Sequence, residues 1–367
     1  AVGADRVVTN RMRDGSYWAY RYDARDQLVA GGRYRGDGSP VRGMHFGYVY
    51  DDAGNPVAGG PVKGGGEPTY RFEANDLNVH VTRFWGNGVE IVGSAATNAV
   101  VTVNDMAVLR EGEEFSVVLP IACIERAVQT NITVYAVWFD GTNDVVAKAE
   151  GWLYVPQAEE SVLWNDNGAL ARESRFSYKF DARDRLTCVT ASNATPPFKV
   201  EYAYYPGGQL ASRKVFHWDP ATSNQEPVTE TKLLWSGWHL LREDVSDFSH
   251  SPTLRFSRSF LWGLDLAGQE SGKYGQDAGG IGGLVAIREV SDGVTNLYFP
   301  LCDRGGTITH VLDTNGTVVA EYDYSPFGVL ILSSCPRSDL CNLRFQSKFR
   351  DPDTELVYFG HRWYDPG

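Results

Sequence analysis

A short motif that recurs along the chain constrains its fold more than any other feature. The motif is aromatic, any residue, aromatic, aspartate, then a polar turn and an aliphatic residue. Residues i and i+2 of a strand share one face, so both aromatics point to the same side of a sheet, and the aspartate suits a tight turn. Copies begin at Tyr20 (leading to Leu28), Tyr48 (to Val57) and Tyr178 (to Leu186). The aspartate is replaced in the copy at Tyr202 (to Leu210), and the copy at Tyr322 is degenerate.

Each copy predicts a β-hairpin, and a single hairpin cannot bury its aromatic face. Neighbouring hairpins must therefore stack into a continuous sheet. Lys179 falls between two aromatics and is predicted on the opposite, wet face. Core packing is the simpler interpretation of the aromatic rows, and stacking on sugars is the alternative. The predicted rows are Trp18, Tyr20, Tyr22 and Phe176, Tyr178, Phe180.

Between about Val79 and Val155 the motif is absent and short alternating strands replace it. Evenly spaced short strands with turns such as Asn104-Asp105 and Asp140-Gly141 indicate a small β-sandwich. Because the motif resumes near Trp164, the sandwich is predicted to be an insert. The predicted strands are 89–92, 100–103, 115–119 and 132–137.

Composition and charge narrow the class of protein further. With 367 residues, 43% of them hydrophobic, the chain exceeds the usual size of one core and can bury several. Its net charge of −12 is spread without a basic run, which argues against a nucleic-acid partner. No apolar stretch is long enough to span a membrane and no signal peptide is present. Since the chain starts and stops within the pattern, we expect a piece of a longer protein.

Residue patterns that carry chemistry are missing, so no catalytic, cofactor-binding or metal-binding residues are predicted and the chain is expected not to be an enzyme. There is no HExxH or GxSxG, although a catalytic triad can assemble from distant positions. The cysteines contain no CxxC. Cys335 and Cys341 could form a disulfide in an exported protein or remain thiols. The five cysteines are Cys123, Cys188, Cys302, Cys335 and Cys341.

Several local sequences have simple structural interpretations. The run Gly279–Gly283 lacks the lysine of a phosphate-binding loop and is predicted to connect two strands. His361 is predicted to lie in a strand. The carboxylate pairs Glu113-Glu114 and Glu159-Glu160 are expected in exposed segments, without the opposed geometry of a glycosidase. Turns are predicted at Asp219-Pro220, Asp351-Pro352 and Asp365-Pro366.

The motif resembles the YD repeat of bacterial Rhs proteins, which also occurs in teneurins and in the C component of insecticidal toxin complexes. The resemblance is clear at residues 22–28, 50–55 and 180–186. A longer match, over residues 307–328 and 343–366, resembles the Rhs-associated core. The insert resembles a bacterial Ig-like module.

The resemblance implies an all-β fold, in which antiparallel hairpins spiral into a hollow shell and the core segment plugs one end. In toxin members a variable toxic domain follows the core, and some members release it by self-cleavage at an Asp-Pro-Gly-Leu motif. This sequence ends at Gly367, before that motif. Neither cleavage nor toxicity can therefore be carried over to residues present here.

These expectations divide the chain into YD repeats (1–77), an Ig-like sandwich insert (78–157), further YD repeats (158–298) and a truncated core segment (299–367). The expected function is a non-catalytic shell module of an exported or cell-surface protein, which encloses or presents a C-terminal cargo domain. The alternative is an adhesion or glycan-binding module that uses the insert for contact. A hydrolase has no supporting motif.

Overall fold

The structure is a computed structural model. It describes residues 2–3, 6–12, 14–62, 66–75, 79–85, 88–121, 127–218, 222, 224–248, 253–270 and 278–367. The chain divides into two compact units: residues 1–175 with 193–195, and residues 176–192 with 196–367. Cys123 and the predicted turn at Asp219-Pro220 lie outside the described residues.

The first unit begins with strands that follow one another as hairpins. They are β1 (Val2–Gly3), β2 (Arg6–Val7), β3 (Thr9–Arg11), β4 (Tyr17–Tyr22), β5 (Leu28–Tyr34), β6 (Pro40–Tyr50), β7 (Pro56–Val62), β8 (Pro68–Ala74) and β9 (His80–Phe84).

The strands between about residues 89 and 155 form two antiparallel sheets, ordered β10-β14-β13 and β12-β11-β15-β16. Their bounds are β10 (Val89–Ser94), β11 (Val100–Val103), β12 (Met106–Ala107), β13 (Leu109–Glu111), β14 (Glu114–Leu119), β15 (Val128–Phe139) and β16 (Asp144–Val155). Residues of both sheets share one apolar core, which includes Val101, Val103, Phe115, Leu119 and Ile132. The resemblance of this sandwich to an Ig-like module remains a prediction.

After the sandwich the chain returns to the first sheet. The next strands are β17 (Glu159–Ser161), β18 (Leu163–Trp164) and β19 (Leu170–Arg172). Strand β17 pairs with β9, which completes an eight-stranded sheet ordered β17-β9-β8-β7-β6-β5-β4-β3. Both ends of the insert therefore meet the same edge of this sheet, since β9 leads into the sandwich and β17 leaves it.

The second unit is built on strands that lie side by side in sequence order, each antiparallel to the next. They are β20 (Ser177–Phe180), β21 (Leu186–Ala191), β22 (Phe198–Tyr204), β23 (Leu210–Trp218), β24 (Gln225–Ser236), β25 (His239–Asp247), β26 (Thr253–Trp262), β27 (Leu284–Ser291), β28 (Val294–Cys302), β29 (Ile308–Leu312), β30 (Val318–Tyr324) and β31 (Leu330–Ser334). Hairpins joined directly give this meander, as the repeat predicts.

The end of the chain forms a small separate sheet, ordered β32-β33-β34. It follows a single 3-10 turn at Phe345–Ser347, the only helical segment assigned among the described residues. The strands are β32 (Phe349–Arg350), β33 (Val357–Tyr358) and β34 (Trp363–Tyr364). The described residues thus confirm the predicted all-β, antiparallel fold class.

Candidate functional site

The turn of the repeat is the first local structure that the motif determines. At each turn, the N–H of the first residue donates to the carbonyl of the fifth, and the N–H of the fourth donates to the carbonyl of the first. Asp181 makes this pair with Arg185 and Asp184, each at 3.0 Å. The same pattern begins at Asp23, Asp51, Asn165, Tyr205, Asp265, Asp303, Asp313 and Ser325.

The side chain at the first turn position explains why aspartate dominates there. One carboxylate oxygen of Asp181 accepts the N–H groups of Arg183 (2.9 Å) and Arg185 (3.1 Å). Asn165 accepts the equivalent pair through its amide oxygen. An oxygen on a short side chain satisfies backbone donors that the turn leaves unpaired.

The fourth turn position is left-handed. Gly54 and Gly316 have φ of 91° and 81°, whereas Asp184 adopts φ of 56° without being glycine. A left-handed residue after a type I turn produces a bulge at the hairpin end. The pairing register shifts at this point between Lys179 and Phe180. The turn therefore fixes where each strand pair begins.

An aromatic side chain near the end of a strand ties each hairpin to its neighbour. The Tyr204 hydroxyl donates to the Leu186 carbonyl at 2.6 Å, where the preceding strand begins. The indole N–H plays the same part where tryptophan replaces tyrosine. The other pairs are Tyr50 to Leu28, Trp235 to Leu210 and Trp262 to Leu240. The motif thus encodes a backbone contact as well as an apolar face.

The predicted aromatic rows are largely packed in the protein. Trp18, Phe176 and Tyr178 are buried, whereas Tyr20, Tyr22 and Phe180 are only half-buried. Rings within a row lie side by side, with the Trp18 and Tyr20 centroids 6.2 Å apart. Lys179 is exposed, as predicted.

Residues 335–364, called the capping segment here, pack on the sheet of the second unit. Their apolar side chains are at most 4% exposed at Leu340, Cys341, Leu343, Phe349, Leu356, Val357 and Tyr358. The Tyr358 hydroxyl donates to the Gly208 carbonyl at 2.8 Å, and the Trp363 ring packs at a tilt against Tyr202 with centroids 4.7 Å apart. The segment therefore covers a repeat-bearing part of the sheet.

A buried ion pair anchors one end of the capping segment. Arg213, on β23, donates from Nε to Asp351 at 2.7 Å and from Nη2 at 3.2 Å, and it also bonds Asp353. The Tyr202 hydroxyl donates to Asp351 at 2.9 Å and lies 3.3 Å from the Thr354 hydroxyl. Asp351 is fully buried. A buried charge pair with this many hydrogen bonds holds the two segments in one arrangement, because removing either partner would leave the other as an unpaired buried charge.

The electrostatics of this anchor follow from its burial. Burial acts to lower the pKa of the Arg213 guanidinium, but the carboxylates of Asp351 and Asp353 outweigh that effect and the pKa is raised. Burial raises the pKa of the Tyr202 phenol well above its ordinary value and raises the pKa of Asp353. Tyr202 therefore stays a neutral hydrogen-bond donor and Arg213 stays charged, as a structural anchor requires.

A second charged cluster holds the start of the capping segment. Arg258, on β26, lies between Glu289 (2.7 Å) and Glu243 (3.1 Å) on the two neighbouring strands. Arg337 donates to both oxygens of Glu289, at 2.8 and 3.0 Å, and to the Tyr298 hydroxyl at 2.9 Å. The guanidinium of Arg258 is buried. Its charge is matched by carboxylates on both sides.

A cleft of about 640 Å³ opens beside this second cluster. Acidic and basic side chains both line its wall, and Arg258 and Arg337 each pair there with Glu289. The Ser291 hydroxyl in the wall lies 3.4 Å from the Asp292 carboxylate and 3.4 Å from the Arg255 carbonyl. The cleft therefore presents a polar surface. Its wall includes Asp247, Arg255, Phe256, Asp292, Arg337 and Asp339.

Some individual expectations are wrong. His361 lies in the bend between β33 and β34, not in a strand, and packs edge-on against Trp238 at 5.1 Å. Glu160 is buried rather than exposed, because it accepts hydrogen bonds from the Trp85 indole (3.1 Å) and the Ser174 N–H.

The glycine run is placed as expected. Gly279–Gly283 forms turns between β26 and β27, and Gly282 donates to the Ser347 hydroxyl at 3.0 Å. Cys335 and Cys341 are both free thiols, so the optional disulfide is not formed. Burial raises the pKa of Cys341 to about 11. The described residues contain no cluster of His, Cys, Asp or Glu suited to a metal ion. None of their helices is long and apolar enough to cross a membrane.

The residues that organise this site escaped sequence reasoning. Asp351 was interpreted only as a turn former, and it does accept the N–H groups of Asp353 and Thr354. Its partner Arg213 lies 138 positions away, and no local pattern marks a pairing at that distance. Asp265 and Asp303 begin repeat turns without the aromatic pair. The spacing Asp-x-x-Gly could have identified both.

The chain is similar to a known family model and to two known proteins. A family model described as the teneurin YD-shell matches residues 282–367. A tRNA3(Ser)-specific nuclease, WapA, from Bacillus spizizenii is 23% identical over 209 residues, which are 57% of this chain and 7% of that protein. Teneurin-m from Drosophila melanogaster is 35% identical over 69 residues, 19% of this chain and 2% of that protein.

Two solved structures also align with the chain. Crystal structures of TcdB2-TccC3 and TcdB2-TccC3-TEV align with 98% and 99% of the chain at 13% identity, with TM-scores of 0.42 and 0.41. The chain spans 17% of each of those chains and less than a tenth of the two relatives above. The repeat in the described strands and the YD-shell match at residues 282–367 together make this chain similar to proteins of the Rhs/YD-repeat family.

Proposed function

We propose that the chain is a non-catalytic, shell-building module of a larger exported or cell-surface protein. In this proposal the YD repeats (1–77 and 158–298) build the wall, the sandwich within residues 78–157 is an Ig-like insert, and residues 299–367 are the core segment. The wall encloses or presents a C-terminal cargo domain that is not part of this chain. No nuclease activity is assigned to the chain, which spans 7% of the Bacillus relative named for it.

The observation that carries the proposal is the anchored capping segment. Apolar side chains of residues 335–364 are withdrawn from solvent, and two clusters of buried charge hold them on the repeat sheet. In both clusters a charged side chain of the sheet binds a charged side chain of the capping segment. Such contacts suit a segment that closes one part of a shell.

Limited proteolysis of the natural polypeptide that contains this chain tests the proposal. A cargo domain downstream of residue 367 should resist thermolysin in the unaltered protein and become cleavable when Arg213→Met releases the capping segment. Lys179→Ala, at an exposed site, serves as the control and should leave protection intact. Cargo that is cleaved equally fast in all three proteins contradicts enclosure.

The second candidate is an adhesion or glycan-binding module. An exposed aromatic ring on the insert favours it, because Phe139 is 59% exposed at the end of β15 and aromatic faces stack on sugars. Measuring how the 367-residue chain and its Phe139→Ala variant bind immobilised glycans distinguishes an adhesion module from a shell module. Saturable binding that the variant loses favours adhesion, and no binding favours the shell alone.

A further inference from the structure

The last strand of the four-stranded sheet in the insert has an open edge. β16 pairs with β15 over its full length, from Asp144 to Val155. It lies at the end of the order β12-β11-β15-β16, so no strand of the described chain occupies its other side. A long strand with a free edge presents backbone donors and acceptors to any strand that approaches.

β16 carries exposed apolar side chains in addition to the charged side chains that are usual on a solvent-exposed edge strand. Val146 and Trp152 are both 59% exposed although they are apolar. Lys148 and Glu150 lie between them, and alternation places all four on the same face. That face points away from the apolar core, which takes Val134 and Ile132 from the neighbouring strand.

The order of these side chains is symmetric about Ala149. A cation precedes it by one residue and an anion follows it by one. The two apolar residues, Val146 and Trp152, each stand three residues away. A strand with this pattern complements itself when it runs antiparallel to a copy.

We propose that β16 pairs antiparallel with β16 of a second copy of this chain, about a two-fold axis at Ala149. Lys148 then faces Glu150 of the second copy, and Glu150 faces its Lys148. Val146 faces Trp152, a pairing of β-branched and aromatic residues that stabilises sheets. Each contact occurs twice, as a closed two-fold interface requires.

The other face of the strand accepts this approach without a clash. Ala147 would lie opposite Gly151, and Ala149 opposite itself. Nothing lies within 4 Å of the position that a Cβ on Gly151 would take. Small residues at the centre therefore leave room for a second strand to come within hydrogen-bonding distance.

Charge also selects this register over its neighbours. Moving the axis to residue 148 would set Lys148 against itself, and moving it to residue 150 would set Glu150 against itself. Like charges directly opposite are unfavourable. A second copy in the stated register therefore fits this edge, and the inference stands independently of the proposed shell function.

Charge-reversal variants of the 367-residue chain test the pairing by sedimentation velocity. The unaltered chain should dimerise as concentration rises, whereas Lys148→Glu and Glu150→Lys should each remain monomeric. An equimolar mixture of the two variants should regain the dimer, because every carboxylate then faces an ammonium group across the axis. Circular dichroism checks that both variants fold. Two outcomes overturn the proposal. One is an unaltered chain that stays monomeric up to about 100 μM, which would exclude a Kd in the micromolar range. The other is a mixture of the two variants that stays monomeric.

A cysteine pair tests the axis itself. In a chain whose exposed Cys302 and Cys335 are replaced by serine, Ala149→Cys should form a disulfide with its own copy under mild oxidation, since directly opposite residues lie within bridging distance. Val146→Cys is the matched control, because in this register it faces Trp152 and not itself. Mass spectrometry of unreduced peptides identifies the linked residues. Equal cross-linking of both variants, or of neither, shows that the register is wrong.

Discussion

At the first position of each repeat turn, two backbone N–H groups determine which side chain is suitable. Asp181 accepts both through one oxygen and bonds the Arg185 guanidinium (2.8 Å) through the other. Asn165 shows that an amide oxygen suffices for the backbone part. Acceptor geometry therefore matters more at this position than charge.

Replacing Asp181 tests this ranking. Asp181→Ala should lower the free energy of unfolding by about 1–2 kcal/mol, because two turn N–H groups lose their acceptor. Asp181→Asn should cost less, since it keeps the oxygen that Asn165 uses. Urea unfolding of both variants measures the difference. Equal losses for Ala and Asn would assign the effect to the Arg185 contact instead.

The turn carboxylates also make a prediction about acid. Hydrogen bonds from the N–H of Thr317 and other turn donors lower the pKa of Asp313 below its ordinary value. A lowered folded-state pKa contributes stability that is present above the unfolded pKa of about 3.9 and lost as pH falls through the folded value. Asp313→Asn should therefore lower the Tm at pH 7 and have little effect near pH 2.5. A difference that stays constant with pH contradicts the assignment.

At the scale of the strand, the two aromatic residues of β20 differ in burial. Tyr178 lies within β20 and is buried, whereas Phe180 ends the strand where the register shifts and is half-buried. Sequence alternation placed both on one face but did not distinguish them. We expect the bulge in β20 to turn the end of this row toward solvent, and the position of the bulge depends on turn geometry.

Truncations along β20 measure this gradient. Tyr178→Ala should cost about 3–5 kcal/mol, the range for a buried aromatic. Phe180→Ala should cost clearly less, and Lys179→Ala, on the exposed face, about 0.5 kcal/mol or less. Paired urea unfolding curves give the three values. If Phe180→Ala costs as much as Tyr178→Ala, the row is buried to its end and the bulge does not open it.

Sequence reasoning reached the hairpins because their signals are local. The spacing of Tyr178, Phe180 and Asp181 lies within one strand and its turn, so period and turn chemistry suffice. Asp303 was missed because Cys302 stands where an aromatic was expected. The sandwich strands were found by alternation, but their assignment to two sheets depends on which strands meet in space.

At the scale of the whole chain, long-range charge pairs carry information that no local pattern holds. Arg213 stands between Ser212 and Lys214 on β23, as any polar strand residue could. Its partner Asp351 lies in the connection between the two-residue strands β32 and β33. Only the packing of the capping segment brings them together, so the site could not be predicted from spacing. Burial then makes the pair energetically sensitive in a way that exposed pairs are not.

A double-mutant cycle on this anchor tests whether it holds the capping segment. Arg213→Met should cost about 3–5 kcal/mol, because Asp351 remains buried without its cation, and Asp351→Asn should cost a similar amount. The double variant should lose clearly less than the sum, since neither charge is then stranded. Arg242→Met breaks the Arg242–Asp244 pair, which is 48% and 33% exposed, and as the control should cost less than about 1 kcal/mol. Hydrogen exchange should rise first in residues 349–364 of the single variants. Additive costs, or exchange that rises evenly through the sheet, would show that the pair does not hold the segment in place.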